Sequence, residues 1–167
     1  MLVFMAAVVG SGIASARPAS IVIEANSGRV LQALNADTEV YPASLTKMMT
    51  LYLLFEAIDK GRLRLDQRLT VSEHAAARPP TGLGLVAGQT ITARDAMLGL
   101  VTKSANDAAA VVGEAISGSE AAFARHMTVK ARALGMAHTV FQNASGLPDV
   151  EQVTTAHDMA RLGRALL

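Results

Sequence analysis

The chain has no cysteine and no tryptophan, and aromatic residues make up only 4% of its 167 positions. Without cysteine there can be no disulfide, no thiol nucleophile and no thiolate-bound zinc. Lysine and arginine total 15 against 14 acidic residues, a formal net charge of +1. With that balance, and so few rings on which bases could stack, nucleic acid is not an expected partner. The four histidines, His74, His126, His138 and His157, have neither HxxxH nor HxxEH spacing, so no metal site is expected from them. Repeats, linkers and low-complexity tracts are missing too. What remains is 51% hydrophobic and 17% charged, which suits one globular unit with a substantial core.

The first sixteen residues differ in character from the rest. Leu2–Gly10 is the apolar run LVFMAAVVG, followed by Ser-Gly-Ile and the small residues Ala14-Ser15-Ala16. A short apolar segment ahead of a small-residue site reads as a secretory signal, although no Lys or Arg precedes it. The run is too short for a membrane span, which needs ~20 apolar residues. Residues 1–16 are therefore expected to be a signal peptide, with residues 17–167 forming the domain and working outside the cytoplasm.

Beyond Arg17 the pattern alternates short strands with helices. SIVIEANSGRVLQALN carries apolar–polar alternation on both sides of Asn26-Ser27-Gly28, which predicts a hairpin. A helix is expected from about Ser44 to Asp59, with Gly61 to stop it. RPPTGLG (78–84) reads as a loop. Thr92 with Asp95 has the look of a capping box opening the next helix. A break at Lys103–Asn106 leads into the alanine-rich DAAAVVGEAI. Ser119 then caps a further helix that Gly135 ends, and Thr155 with Asp158 begins a last one. HTVFQN reads as a brief extended piece. The eight methionines read as core filling.

Two constellations carry chemistry. In YPASLTKMMT, Ser44 and Lys47 stand three residues apart at a helix start, ~60° apart around the axis, and so share a face. Backbone N–H groups at a helix N-terminus favour developing negative charge, which suits a serine nucleophile there. A lysine desolvated by apolar neighbours loses basicity and can take the serine proton. In TKSANDAAA, Ser104 and Asn106 flank Ala105 in a link between two helices. Such a link can aim a hydroxyl and an amide into one cleft, Ser104 to relay a proton and Asn106 to hold the lysine or a peptide. Taken singly, each pattern has a plain structural reading: Ser44 or Asn106 as a helix cap, Lys47 reaching solvent, Ser104 an ordinary loop serine. No G-x-S-x-G elbow is present, so a Ser-His-Asp triad built on His138 or His157 has no support.

SxxK followed by SxN resembles the penicillin-recognising serine acyl-transferases. PASLTKMMT, SANDAA, the long stretch GSEAAFARHMTVKARALGMAHTVFQNASGLPD and TTAHDMARL resemble one branch of them: the low-molecular-mass penicillin-binding proteins, D-alanyl-D-alanine carboxypeptidases of the peptidase S11 type. The resemblance runs from about Ser20 to Leu167. It implies a β-lactamase/transpeptidase-like α/β (α+β) fold, here partial, with a helical subdomain and an incomplete antiparallel sheet. It implies Ser44 as acylated nucleophile, Lys47 as general base, Ser104 as proton relay and Asn106 as contact for the substrate amide. The implied substrate is a peptidoglycan stem peptide ending in D-Ala-D-Ala, with β-lactams as inhibitors and no metal or organic cofactor. The implied location is the periplasm or the outer face of the cytoplasmic membrane, and no membrane anchor is visible in the chain.

The family's third motif, Lys-Thr-Gly on a strand, does not occur: the lysines are Lys47, Lys60, Lys103 and Lys130. In the family that strand supplies an oxyanion donor, and losing one such donor costs ~10²–10³ in rate. The 167 residues alone are thus expected to be impaired, with an unpaired sheet edge and apolar surface showing. Two other functions compete. A serine β-lactamase of class A would need an ExxLN segment, which is absent. A cell-wall-binding remnant without activity would need none of the four polar residues kept here.

Overall fold

A computed structural model describes residues 18–167; the signal peptide expected over residues 1–16 lies outside them. Two antiparallel strands, β1 (Ser20–Ile23) and β2 (Val30–Leu34), form the expected hairpin, with a register shift between Val22 and Ile23. Gly28 at its turn has φ +75° and lies beneath the Arg164 guanidinium, which donates to the Ala25 and Asn26 carbonyls and ties the turn to the last helix. A side chain at Gly28 would collide with that guanidinium as well as strain the backbone. Val22, Val30, Leu31 and Leu34 on this hairpin are exposed, as expected for an incomplete sheet. Among the described residues no third strand joins it.

The helices come next. A 3₁₀ turn at Ala43–Leu45 runs into α1 (Thr46–Asp59), which turns Met49, Leu53, Leu54 and Ala57 into the core at helical spacing. Strand β3 (Arg68–Thr70), the single-turn helix α2 (Glu73–Ala76), strand β4 (Thr90–Thr92) and α3 (Ala93–Lys103) follow. β3 and β4 pair antiparallel in a second small sheet. Neither strand nor α2 was legible in the sequence. The strands are three residues long, too short for period-two alternation to stand out, and they bury only Leu69 and Ile91.

α4 (Asn106–Ser117) is buried without interruption from Asn106 to Gly113. Its alanines let α1, α3 and α5 (Glu120–Ala133) approach it closely. Gly113 marks the tightest contact, since a Cβ there would sit 2.8 Å from the Phe123 ring. α6 (Ala156–Ala165) closes the order and packs on α1 and β1. Thr92, Ser119 and Thr155 each accept a backbone N–H three residues on, as their positions predict. HTVFQN contributes one isolated bridge, Val140 to Val153, rather than a strand. Among the described residues no helix is long and apolar enough to cross a membrane.

Candidate active site

The site lies where the start of α1, the α3–α4 link and the turn at 143–147 converge. Ser44 sits in the 3₁₀ turn rather than in α1 proper, and it is exposed. Ala43 just before it has φ +45°, a region costly for a residue with a Cβ. Gly146, itself at φ +88°, packs so closely on this turn that an added Cβ would lie 1.8 Å from the Ala43 carbonyl oxygen. Only glycine fits there, so close against the backbone just before Ser44.

Lys47 is one turn on and does not reach solvent: 4% of it is exposed. Its Nζ donates to Asn106 Oδ1 at 2.8 Å and to the Ser145 carbonyl at 2.6 Å. Burial lowers its pKa from 10.5 to about 8, because the ammonium loses water that two acceptors only partly replace. Around Ser44 and Lys47 the hydrogen bonds run to Asn106 and Ser145, and none links the two side chains directly.

Asn106 is 7% exposed and is the first residue of α4, with Ala105 as the N-cap and no side-chain cap bond. The amide therefore serves something other than capping. Its oxygen faces Lys47, and its Nδ2 donates to the Pro79 carbonyl at 3.0 Å. The reverse orientation would set an NH₂ against an amine and an oxygen against a carbonyl, so this network admits one orientation only. Asn106 N–H also donates to the Thr81 carbonyl, joining the 79–85 loop to the site.

Ser104 ends α3 with φ +53° and ψ +40°, the left-handed conformation. Its Oγ is buried without a hydrogen-bond partner, and so is Thr46 Oγ1. Among the described residues these are the two buried side-chain oxygens left so; Ser104 is itself the serine of SxN, and Thr46 stands beside Lys47 of SxxK. An unpaired buried hydroxyl costs about 1–3 kcal/mol, and strain and unmet polar groups of this kind gather at functional sites.

Several supporting residues gave no signal in the sequence. Asp107 is buried and accepts from Leu83, Gly84 and Leu85 N–H, holding the loop that reaches Asn106. By position alone it reads as an ordinary acidic residue of a helix's first turn. Asn143 Oδ1 accepts the N–H groups of Ser145, Gly146 and Leu147, so the turn's backbone carbonyls point at α1. The Ala144 carbonyl takes Thr50 Oγ1 at 2.6 Å, and the Ser145 carbonyl takes Lys47. A backbone acceptor carries no residue-type signature, which is why Ser145 was invisible. Next to Ala43, and so adjoining Ser44 in the chain, a cavity of about 430 Å³ is lined by Tyr41, Gly146, Leu147, Pro148, Asp149, Val150 and Gln152. Among the described residues no group of three acidic or imidazole side chains is placed to hold a metal ion.

Residues 9–167 match the Peptidase S11 family model, D-alanyl-D-alanine carboxypeptidase. The D-alanyl-D-alanine carboxypeptidase DacF of Bacillus subtilis is 36% identical over 157 residues, covering 94% of this chain and 40% of that protein. The crystal structure of DacD from Francisella tularensis superposes with a TM-score of 0.86 at 36% identity, over 98% of this chain and 40% of the other. Penicillin-binding protein D2 from Listeria monocytogenes, solved in its ampicillin-bound form, gives a TM-score of 0.72 at 34% identity, over 89% of this chain and 60% of the other. The chain spans about two fifths of the length of the curated relatives it matches.

Proposed function

Since the chain belongs to the peptidase S11 family of D-alanyl-D-alanine carboxypeptidases, we propose that Ser44 is its acylated nucleophile, acting on peptidoglycan stem peptides that end in D-Ala-D-Ala. The observation that carries this reading is Lys47: it is buried, less basic than a free lysine, and held by Asn106 one turn from Ser44. A buried lysine with no carboxylate among its hydrogen-bond partners is costly unless its neutral form has a task.

Ser44 Oγ attacks the carbonyl carbon of the penultimate D-alanine, and its proton passes to neutral Lys47 Nζ. The tetrahedral oxyanion develops beside the N-terminal amides of the helix start, where negative charge is favoured. As the intermediate collapses, the C–N bond breaks and the leaving D-alanine nitrogen takes up a proton. Ser104 Oγ, unpaired in the structure, relays that proton from the Lys47 ammonium, which becomes the neutral amine again. Water then attacks the Ser44 ester, losing its proton to Lys47; the ester C–O bond breaks, Lys47 returns the proton to Ser44 Oγ, and the shortened peptide leaves with a new carboxylate. The apolar cavity next to Ala43 gives the peptide a dry wall. A β-lactam follows the same steps as far as the ester: its ring C–N bond breaks, but the leaving nitrogen stays tethered to the acyl group, and the ester hydrolyses slowly. We also assign export, led by residues 1–16, since family members act on the cell wall.

Release of free D-alanine from a peptide ending in D-Ala-D-Ala tests the reaction. Release by the wild type that disappears in Ser44→Ala supports it. β-Lactam hydrolysis without D-alanine release would favour a β-lactamase.

A further inference from the structure

We propose that Glu120 is a positioning residue for Lys47, acting through the peptide at Ala144–Ser145. Glu120 opens α5 and is 6% exposed. A carboxylate in a helix's first turn normally faces water and supports the dipole; this one is turned inward. Its Oε1 accepts the Ala144 N–H at 3.0 Å. The Ala144 and Ser145 carbonyls receive Thr50 Oγ1 and Lys47 Nζ from α1. The two-residue strip is therefore clamped between α5 on one side and α1 on the other. Oε2 takes His74 Nε2 at 2.6 Å and Arg78 Nη1 at 3.4 Å, which fix the carboxylate from α2 and from two residues beyond its end. Asn143 shapes the turn but holds it only to itself. Gln152 braces the ends of the turn, accepting the Asn143 N–H and donating to the Leu147 carbonyl, whereas Glu120 is the side chain that holds the Ala144 N–H, between the ends and next to the two carbonyls that face α1. Loosening it lets the Ser145 carbonyl swing and admits water to Lys47 Nζ. Since burial is what depresses the basicity of Lys47, the amine would regain basicity.

This inference rests on the role proposed for Lys47, but its main readout needs no substrate. The chain has four lysines, so a ¹³Cε-lysine-labelled sample of the full chain gives four titrating signals, and Lys47→Arg identifies one. Two variants separate reach from charge. Glu120→Asp keeps the charge beside His74 and Arg78 but is one methylene too short for Ala144. Glu120→Gln keeps an acceptor for Ala144 and loses the charge. The Lys47 midpoint is expected to rise from about 8 towards 10.5 in the aspartate variant and to stay in place in the glutamine variant. Glu120→Ala gives the same reading as aspartate should that variant not fold. Ser44 acylation by a fluorescent penicillin should move to higher pH in the same variant, and glutamine should restore the wild-type profile. An unchanged Lys47 in both variants, or an equal shift in both, overturns the inference. If Lys47 responds as expected while the wild type takes no penicillin, the clamp stands and the acyl-transfer reading fails.

Discussion

Acylation of Ser44 should follow the neutral form of Lys47, and the depth at which that lysine is buried sets the pH at which it does so. With a pKa of about 8, roughly 9% of Lys47 is neutral at pH 7 and roughly 91% at pH 9. The rate should therefore rise about tenfold over those two units and level off above pH 9. A lysine at its ordinary 10.5 would give a rise of about a hundredfold with no plateau. The assay is the pseudo-first-order rate of labelling by excess fluorescent penicillin from pH 6 to 10.5, which needs only relative rates. Lys47→Arg, charged throughout, should show no such limb.

The same shift is a statement about stability. The folded chain disfavours the ammonium, so between pH 8 and 10.5 the unfolded chain binds more protons, and folding becomes more favourable as pH rises through that window. Measured against Lys47→Met, whose lost hydrogen bonds do not titrate, wild-type stability should gain about 3 kcal/mol across it. A steady hundredfold climb in labelling, with no relative gain in stability, would refute the claim that burial tunes Lys47.

Other perturbations follow from the contacts. Asn106→Ala takes one acceptor from Lys47 and a donor from the Pro79 carbonyl, and should cost about 1–3 kcal/mol by thermal or chemical denaturation. Asp107→Ala leaves three loop amides without an acceptor; hydrogen exchange at Leu83–Leu85 should quicken and stability fall by about 3 kcal/mol. Gly146→Ala drives a methyl into the Ala43 carbonyl at positive φ. It should cost about 3 kcal/mol or more and slow Ser44 labelling, because the turn carrying Ser44 must move.

The parts legible in sequence were those whose signal is local. Thr92, Ser119 and Thr155 announce helix starts because capping is a three-residue event. The hairpin at Asn26-Ser27-Gly28 follows from short-range alternation, and the extent of α1 from a local stop signal at Gly61. Ser44, Lys47, Ser104 and Asn106 were picked by spacing and by family resemblance, and the fold brings Lys47 and Asn106 into contact across 59 residues. What stayed hidden depends on tertiary partners. The Ser145 carbonyl, the inward turn of Glu120 and the grip of Asp107 on the 83–85 loop use backbone groups or ordinary acidic residues. β3 and β4 pair across some twenty residues with three-residue strands, too little chain for a pattern.

Ser44 is expected to form a covalent acyl bond. Intact-mass measurement after incubation with benzylpenicillin, with peptide mapping of the adduct, tests it most directly. One added penicillin on the peptide carrying Ser44, formed only slowly because the 167 residues are expected to be impaired and absent in Ser44→Ala, is the predicted result. An adduct mapped elsewhere, one that survives the alanine substitution, or none in the folded wild type would contradict it.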